Sequence, residues 1–381
     1  MSFGTLLVIV AAGIGGPLLG LSRRHFVPVV IGEVIAGVLV GDTGLRAIHP
    51  SEATLSFLAQ VGFAMLMLTA GMHLPLRDRR LFASLRGGAL LAACVGVLAV
   101  PAGFAAAALA GTAHAAIYAV VLASGSAAVL LPALQETGAS GPAVLTLMAQ
   151  VTIADVVTIV SVPIVLQPGR TAHALLGGAL VVLAVAALFW LARRLAGHEW
   201  VRHVRDLSKQ RHWALDLRVS LLVLFLLAWI AQKSGTSVLI AGFAAGVIVA
   251  LIGGPKRLST QVRGIADGFF VPLYFVLLGA QLDLRGLFSH PSLVALAAAL
   301  AALNIVIHLA ASMLGRLPAS AGLTASAQLG VPAAVASLGI ADGVLSSQIA
   351  AAIVASSLVS LGVCTLGVER LLAAQPRPSS P

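Results

Sequence analysis

Runs of about 20 consecutive apolar residues recur from end to end of this chain, and that feature leaves few folds open. Lipid offers backbone N–H and C=O groups no partner, so a spanning segment is either a helix or a strand of a closed barrel. Runs this long, without alternation, are not barrel strands. Candidate spans fall near 3–21, 25–41, 54–73, 86–111, 114–135, 143–167, 172–192, 217–232, 236–253, 266–282, 291–314, 319–341 and 345–368, the second and ninth being short and glycine-rich. The pattern predicts an all-α polytopic membrane bundle of about 13 transmembrane helices. Only 9% of the 381 residues are charged, against about 25% in soluble domains, which excludes water as the main solvent.

Orientation follows from the basic residues. No Lys or Arg precedes the first run and Arg23 and Arg24 follow it, the reverse of a secretory leader, so the N-terminus is expected outside. All but four of the 23 Lys and Arg then fall in cytoplasmic connections, the exceptions being Arg46, Arg170, Lys233 and Arg285. That asymmetry is the positive-inside rule, and it turns a formal charge of +10 into a topology signal instead of a nucleic-acid surface. The expected location is the inner (plasma) membrane, multi-pass, with a cytoplasmic C-terminus. The longest connection, 193–218, is basic and carries Trp200 and Trp213. It reads as a solvated linker, a segment lying on the anionic leaflet, or a surface for a soluble regulatory subunit. Cys94 and Cys364 sit inside apolar runs with no disulfide or metal-ligand spacing. No cofactor is expected, and no nucleophile–base pair, phosphate loop or metal cluster marks an enzyme.

A repeat is legible. Val30–Gly41 aligns with Leu239–Ala250 at an offset of 209, equating Gly37 with Gly246. One span later Gly71–Arg77 aligns with Gly279–Arg285 at an offset of 208. The offset moves span two to nine and three to ten, an odd number of crossings, so the copies traverse the membrane in opposite directions. Inverted repeats are characteristic of secondary transporters, whose sites lie near the midplane where discontinuous helices meet. The competing reading is chance similarity among Ala/Gly/Val-rich spans. The halves are placed at approximately 1–167 and 217–368, joined by 168–216, within one membrane domain of 1–368. Residues 369–381 form a short cytoplasmic tail. Two interruptions predict broken helices: Ala123-Ser124-Gly125-Ser126 with Pro132, and Gln328-Leu-Gly330-Val-Pro332. Ordinary kinks or close small-residue packing are the alternative.

Two acidic residues lie inside spans. Asp155 is at the centre of span six, where an insertion cost of about 2.5–3.5 kcal/mol must be offset, and such carboxylates mark ion paths or proton relays more often than structural hydrogen bonds. Thr152, one turn earlier, and Gln150 offer further oxygens for an alkali cation, unless each bonds its own helix. Glu33, in the short second span, is either structurally paired or part of a cytoplasmic pathway, for which Gln150 and Gln328 are further candidates. His308 lies deep in span eleven with Asn304 one turn before it. A core histidine is usually only hydrogen-bonded, unless a carboxylate lies near.

Pro28-x3-Gly32-Glu33-x2-Ala36-Gly37-x3-Gly41, Gly71-Met-His-Leu-Pro-Leu, Phe269-Phe-Val-Pro-Leu-Tyr-Phe275 with Gly279-x2-Leu-Asp-Leu284, and Ile153-Ala-Asp-Val156 together resemble the monovalent cation:proton antiporter-2 family. The resemblance runs through nearly the whole chain. It implies a scaffold domain, usually dimeric, and a core domain in which two broken helices cross beside an ion-binding aspartate, with Na⁺ or K⁺ exchanged for protons. By position, Asp155 matches the essential carboxylate, Ser124–Ser126 and Gly330–Pro332 match the crossing breaks, and His308, or alternatively Asn304, falls near the family's usual Lys or Arg. Two departures stand out. Ala154 replaces the usual Asp, Asn or Gln before the aspartate, and the second break lacks the Arg-Gly-Glu of many relatives.

The expected function is secondary antiport of H⁺ against Na⁺ or K⁺ by alternating access at Asp155, in a homodimer. The alternatives are a channel-like K⁺ efflux protein and a non-transporting sensor or regulatory paralogue.

Overall fold

A computed structural model describes residues 2–19, 28–72, 79–127, 129–130, 134, 141–196, 198–252 and 256–373. Arg23, Arg24, His73–Arg77, Pro132 and Arg377 lie outside them. In chain order the helices are α1 (Phe3–Gly13), α2 (Gly15–Leu19), α3 (Val29–Val40), α4 (Ala53–Met72), α5 (Arg79–Ala110), α6 (Ala115–Ala123), α7 (Pro142–Leu166), α8 (Thr171–Ala196) and α9 (Glu199–Gln210). They continue with α10 (Leu215–Lys233), α11 (Val238–Ile252), α12 (Lys256–Ile265), α13 (Val271–Gln281), α14 (Leu284–Ser289), α15 (Pro291–Leu314), α16 (Ala319–Ala325), α17 (Gly330–Ala341) and α18 (Ser347–Ala373). Every span read from the sequence contains helix, and among the described residues no strand interrupts them. Nine helical segments there are long and apolar enough to cross a membrane. The chain is a multi-pass membrane bundle.

Boundaries differ in informative places. The first span is not one helix: it breaks at Ile14 between α1 and α2. Pro17 cannot donate to the Gly13 carbonyl, and the flanking glycines bend cheaply, so the run Gly13-Ile-Gly-Gly-Pro17 gives way. The tenth span begins earlier than its apolar stretch, because α12 runs into α13 through a π-helical turn at Ala266–Phe270. The long basic connection contains α9, whose Ser208 Oγ accepts from the Leu215 N–H and fixes the corner into α10. Arg205 pairs with Asp216 at 3.2 Å across the same corner.

The chain divides into two compact units, one of Met1–Ser56, Asp78–Leu166 and Phe275–Pro381, the other of Phe57–Arg77 and Gln167–Tyr274. In the first, α3 lies against α13 so closely that a Cβ on Gly279 would stand 3.1 Å from the Gly37 Cα. In the second, α4 lies against α11, and a Cβ on Gly71 would stand 3.0 Å from the Gly246 Cα. The sequence offset equates Gly37 with Gly246 and Gly279 with Gly71. Each unit therefore repeats the other's glycine-on-glycine contact with the partners exchanged. Chance resemblance between apolar runs gives no reciprocal pairing, so the packing supports the repeat.

Candidate functional site

The site is built where α6 stops. Ala123 ends the helix, Ser124 adopts extended backbone with φ −76° and ψ 151°, and the helix resumes at Ala127. Three small residues at the break let α7 approach. A Cβ on Gly125 would lie 2.9 Å from the Val151 side chain, so any other residue there would push α7 away. The close approach brings Asp155, one turn beyond Val151, to the resumed helix, where its Oδ2 accepts from the Ala127 N–H at 3.3 Å. Asp155 is 4% exposed. No Lys or Arg is among the buried side chains of the described residues, so no fixed cation balances it there. Ala154, the residue before it, offers no polar side-chain atom, and its carbonyl accepts from Thr158 Oγ1.

Two neighbouring oxygens on α7 are less well provided for. Thr152 Oγ1 and Gln150 Oε1 are both buried without a hydrogen-bond partner among the described residues. Buried polar atoms normally have a partner, so each one lacking it calls for a reason. Thr152 is three residues before Asp155 and shares its helix face; Gln150 points elsewhere around the same helix. Ser312 Oγ and Thr236 Oγ1 are in the same condition on α15 and before α11.

The second break belongs to α16 and α17 and spans Ser326–Leu329. The sequence placed the interruption at Gln328–Pro332, and the family resemblance at Gly330–Pro332; Gln328 and Leu329 do lie in the break, whereas Gly330–Pro332 open α17. Pro is tolerated in the first turn of a helix, where its missing N–H has no intrahelical partner to lose, so Pro332 starts α17 instead of interrupting it. Both α16 and α17 pack against α7.

A pair of amides joins the breaks. Gln328 Nε2 donates to the Val121 carbonyl at 2.7 Å and more distantly, at 3.4 Å, to that of Ser124, both at the end of α6. The same nitrogen donates to Asn304 Oδ1 at 2.7 Å. Asn304 Nδ2 donates to the Ser326 carbonyl at 2.8 Å and to Ser360 Oγ at 2.9 Å. Asn304, Gln328, Ser326 and Ser360 are all buried to within 1%. His308, one turn along α15, uses its Nδ1 to donate to the Asn304 backbone carbonyl at 2.9 Å. Of the two candidates on that stripe, Asn304 touches the second break and, through Gln328, is linked to the first.

Of the residues singled out from sequence, Asp155, Ser124, Gly125, Ser126, Asn304 and Gln328 are thus brought together around the first break. Thr152 and Gln150 come with Asp155 on α7. Glu33 is elsewhere: buried on α3, its Cγ lies where a Cβ on Gly16 would come within 2.8 Å. Sequence reading missed the Ala127 N–H, since a backbone donor leaves no residue signature. It also missed Ser360, although Ser356, Ser357 and Ser360 in an apolar helix were an available signal.

Comparison with known proteins agrees with this architecture. A family model described as the transmembrane sodium/hydrogen exchanger matches residues 7–374. The chain is 23% identical over 312 residues to the putative Na(+)/H(+) antiporter YjbQ of Bacillus subtilis, covering 77% of this chain and 49% of that protein. It is 27% identical over 270 residues to the glutathione-regulated potassium-efflux system protein KefC of Cronobacter sakazakii, covering 69% and 42%. The chain thus spans about half or less of the length of these two relatives. Among solved structures, that of the sodium proton antiporter MjNhaP1 from Methanocaldococcus jannaschii superposes with a TM-score of 0.63 at 15% identity, covering 97% of this chain and 96% of that one. At that identity the likeness concerns the fold.

Proposed function

The chain belongs to the sodium/hydrogen exchanger family, and from that premise we propose that it is a secondary antiporter, exchanging protons for Na⁺ or K⁺ by alternating access at Asp155. The observation that carries the reading is the Asp155 carboxylate itself: buried, accepting from the Ala127 N–H, and accompanied on α7 by a Thr152 oxygen with no partner among the described residues. A naked carboxylate in low dielectric costs several kcal/mol. Two passengers remove that charge, a proton by covalent attachment and an alkali cation by coordination. Thr152 Oγ1 adds an oxygen ligand for the cation, and Gln150 Oε1 a further acceptor along the pathway.

Because both passengers use the same oxygens, only one binds at a time. The empty, ionised carrier is the costly state, so it crosses between its inward-facing and outward-facing forms slowly, and exchange is coupled. One carboxylate gives one-for-one exchange with no net charge moved. A histidine that changed protonation in each cycle would alter that ratio, and His308 is the candidate. Proton flux in proteoliposomes under an imposed potential tests the stoichiometry: one-for-one exchange is insensitive to the potential.

The similarity to a potassium-efflux protein favours one second reading, a K⁺ pathway in which Asp155 acts as a selectivity element without obligatory countertransport. Everted vesicles separate the two. An antiporter alkalinises or acidifies the lumen when the external cation is changed, whereas a channel-like pathway moves the cation with no stoichiometric proton.

A further inference from the structure

We propose that Asn304 and Gln328 form an uncharged clamp that sets where the cation binds: by occupying the carbonyl oxygens at the ends of α6 and α16, the pair confines the cation to the Asp155 side of the crossing. The proposal rests on Asp155 being the ion site and deepens that reading. A carboxamide nitrogen carries two hydrogens. Both hydrogens of Asn304 Nδ2 are used, on the Ser326 carbonyl and Ser360 Oγ. Both of Gln328 Nε2 are used as well, one on Asn304 Oδ1 and one on Val121 O, with Ser124 O at longer range.

Helix C-termini carry partial negative charge on carbonyls that lack an intrahelical donor, and such carbonyls are natural cation ligands. At this crossing they are instead filled by neutral donors. On the Asp155 face of α7, Thr152 Oγ1 has no donor among the described residues. The two sets of oxygens therefore differ in availability; at the Ser124 and Ser326 carbonyls the amide pair makes that difference, while the Val121 carbonyl also takes the Ser124 N–H at 3.1 Å and Ser124 Oγ at 2.7 Å. The pair also ties three helices, α6, α15 and α18, to the α16–α17 break, so displacement of one break pulls on the other. Asn304 and Gln328 are positioning residues here: they act on the cation through the carbonyls they cover.

The experiment compares alkali-cation exchange by purified, reconstituted protein for the wild type, Asp155→Asn, Gln328→Ala, Asn304→Asp, and the exchanged pair Asn304→Gln with Gln328→Asn. Apparent KM and turnover are read for Na⁺, K⁺ and Li⁺. Gln328→Ala uncovers the Ser124 carbonyl and leaves the Val121 carbonyl with only the Ser124 N–H and Ser124 Oγ as donors, so the preference between the best and next-best cation is expected to narrow at least threefold, with turnover at least tenfold lower. Asn304→Asp keeps the acceptor for Gln328 and loses both donors, and it is expected to behave alike; it carries the test if Gln328→Ala does not accumulate. The exchanged pair keeps the combined amide length and is expected to regain selectivity to within twofold of wild type. Unchanged selectivity in both single variants, or loss of exchange in every variant with no recovery in the exchanged pair, overturns the clamp. Exchange that survives in Asp155→Asn overturns the ion-site reading instead, so the two failures are separable.

Discussion

On the α7 side of the first break, Asp155 takes one hydrogen bond from the Ala127 N–H, while Thr152 Oγ1 and Gln150 Oε1 take none among the described residues. On the α15 side, Asn304 and Gln328 spend every amide hydrogen, on three carbonyls, one hydroxyl and, from Gln328, the Asn304 side-chain oxygen. Both regions are buried to a similar depth. An unsatisfied set of oxygens beside a satisfied set of amides, at one crossing, separates two jobs. The satisfied side holds geometry. In the proposed exchange a passenger stabilises the unsatisfied side, since leaving buried acceptors and a carboxylate uncompensated costs about 1–3 kcal/mol per polar group and more for the charge.

That contrast can be broken from either side, and the α7 side should give the larger effects. Asp155→Asn removes the one negative charge and should reduce exchange in everted vesicles at least 100-fold, to the level of vesicles without the protein; a residual activity above one-tenth of wild type would contradict the contrast. Thr152→Val preserves shape and deletes one oxygen, which at about 1.4 kcal/mol raises the apparent KM for the cation roughly tenfold, with turnover changed less. An unaltered KM would remove Thr152 from the cation's shell.

On the α15 side, changes that leave the two amides in place should cost stability instead. Ser360→Ala takes away one acceptor from Asn304 and should lower resistance to denaturation in detergent by about 1–2 kcal/mol, leaving cation KM within twofold. A KM shift larger than the stability loss would mean that the ligand set extends across the crossing. Smallest of all, His308→Gln should leave the stoichiometry of exchange unchanged, because the ring nitrogen that is engaged serves its own helix backbone. If exchange by this variant gained or lost sensitivity to membrane potential, the histidine would belong to the transport cycle.

Much of the fold was legible in the sequence for a simple reason: lipid imposes length and apolarity on each helix, and both can be read directly. The repeat was legible through glycines, since Gly37, Gly71, Gly246 and Gly279 stand where helices touch backbone to backbone. The first break was legible at Ser124-Gly125-Ser126 because three small polar residues in a row interrupt an apolar helix. The second was displaced by a few residues, because Pro332 looks like a breaker but is at home in the first turn of α17. Choosing between Asn304 and His308 was beyond the sequence. They lie one turn apart on the same stripe of α15, and which of them meets a break depends on how that helix is rotated. Ala127 could not be found at all, because what it contributes is its backbone.

A single carboxylate that exchanges a proton for a cation must release the proton when the cation binds. Adding Na⁺ or K⁺ to weakly buffered, detergent-purified protein and recording proton release with a pH indicator tests this without transport, voltage or vesicle orientation. About one proton released per chain is expected, saturating with cation and absent in Asp155→Asn. Proton release undiminished in Asp155→Asn would contradict it and place the competing group elsewhere in the chain.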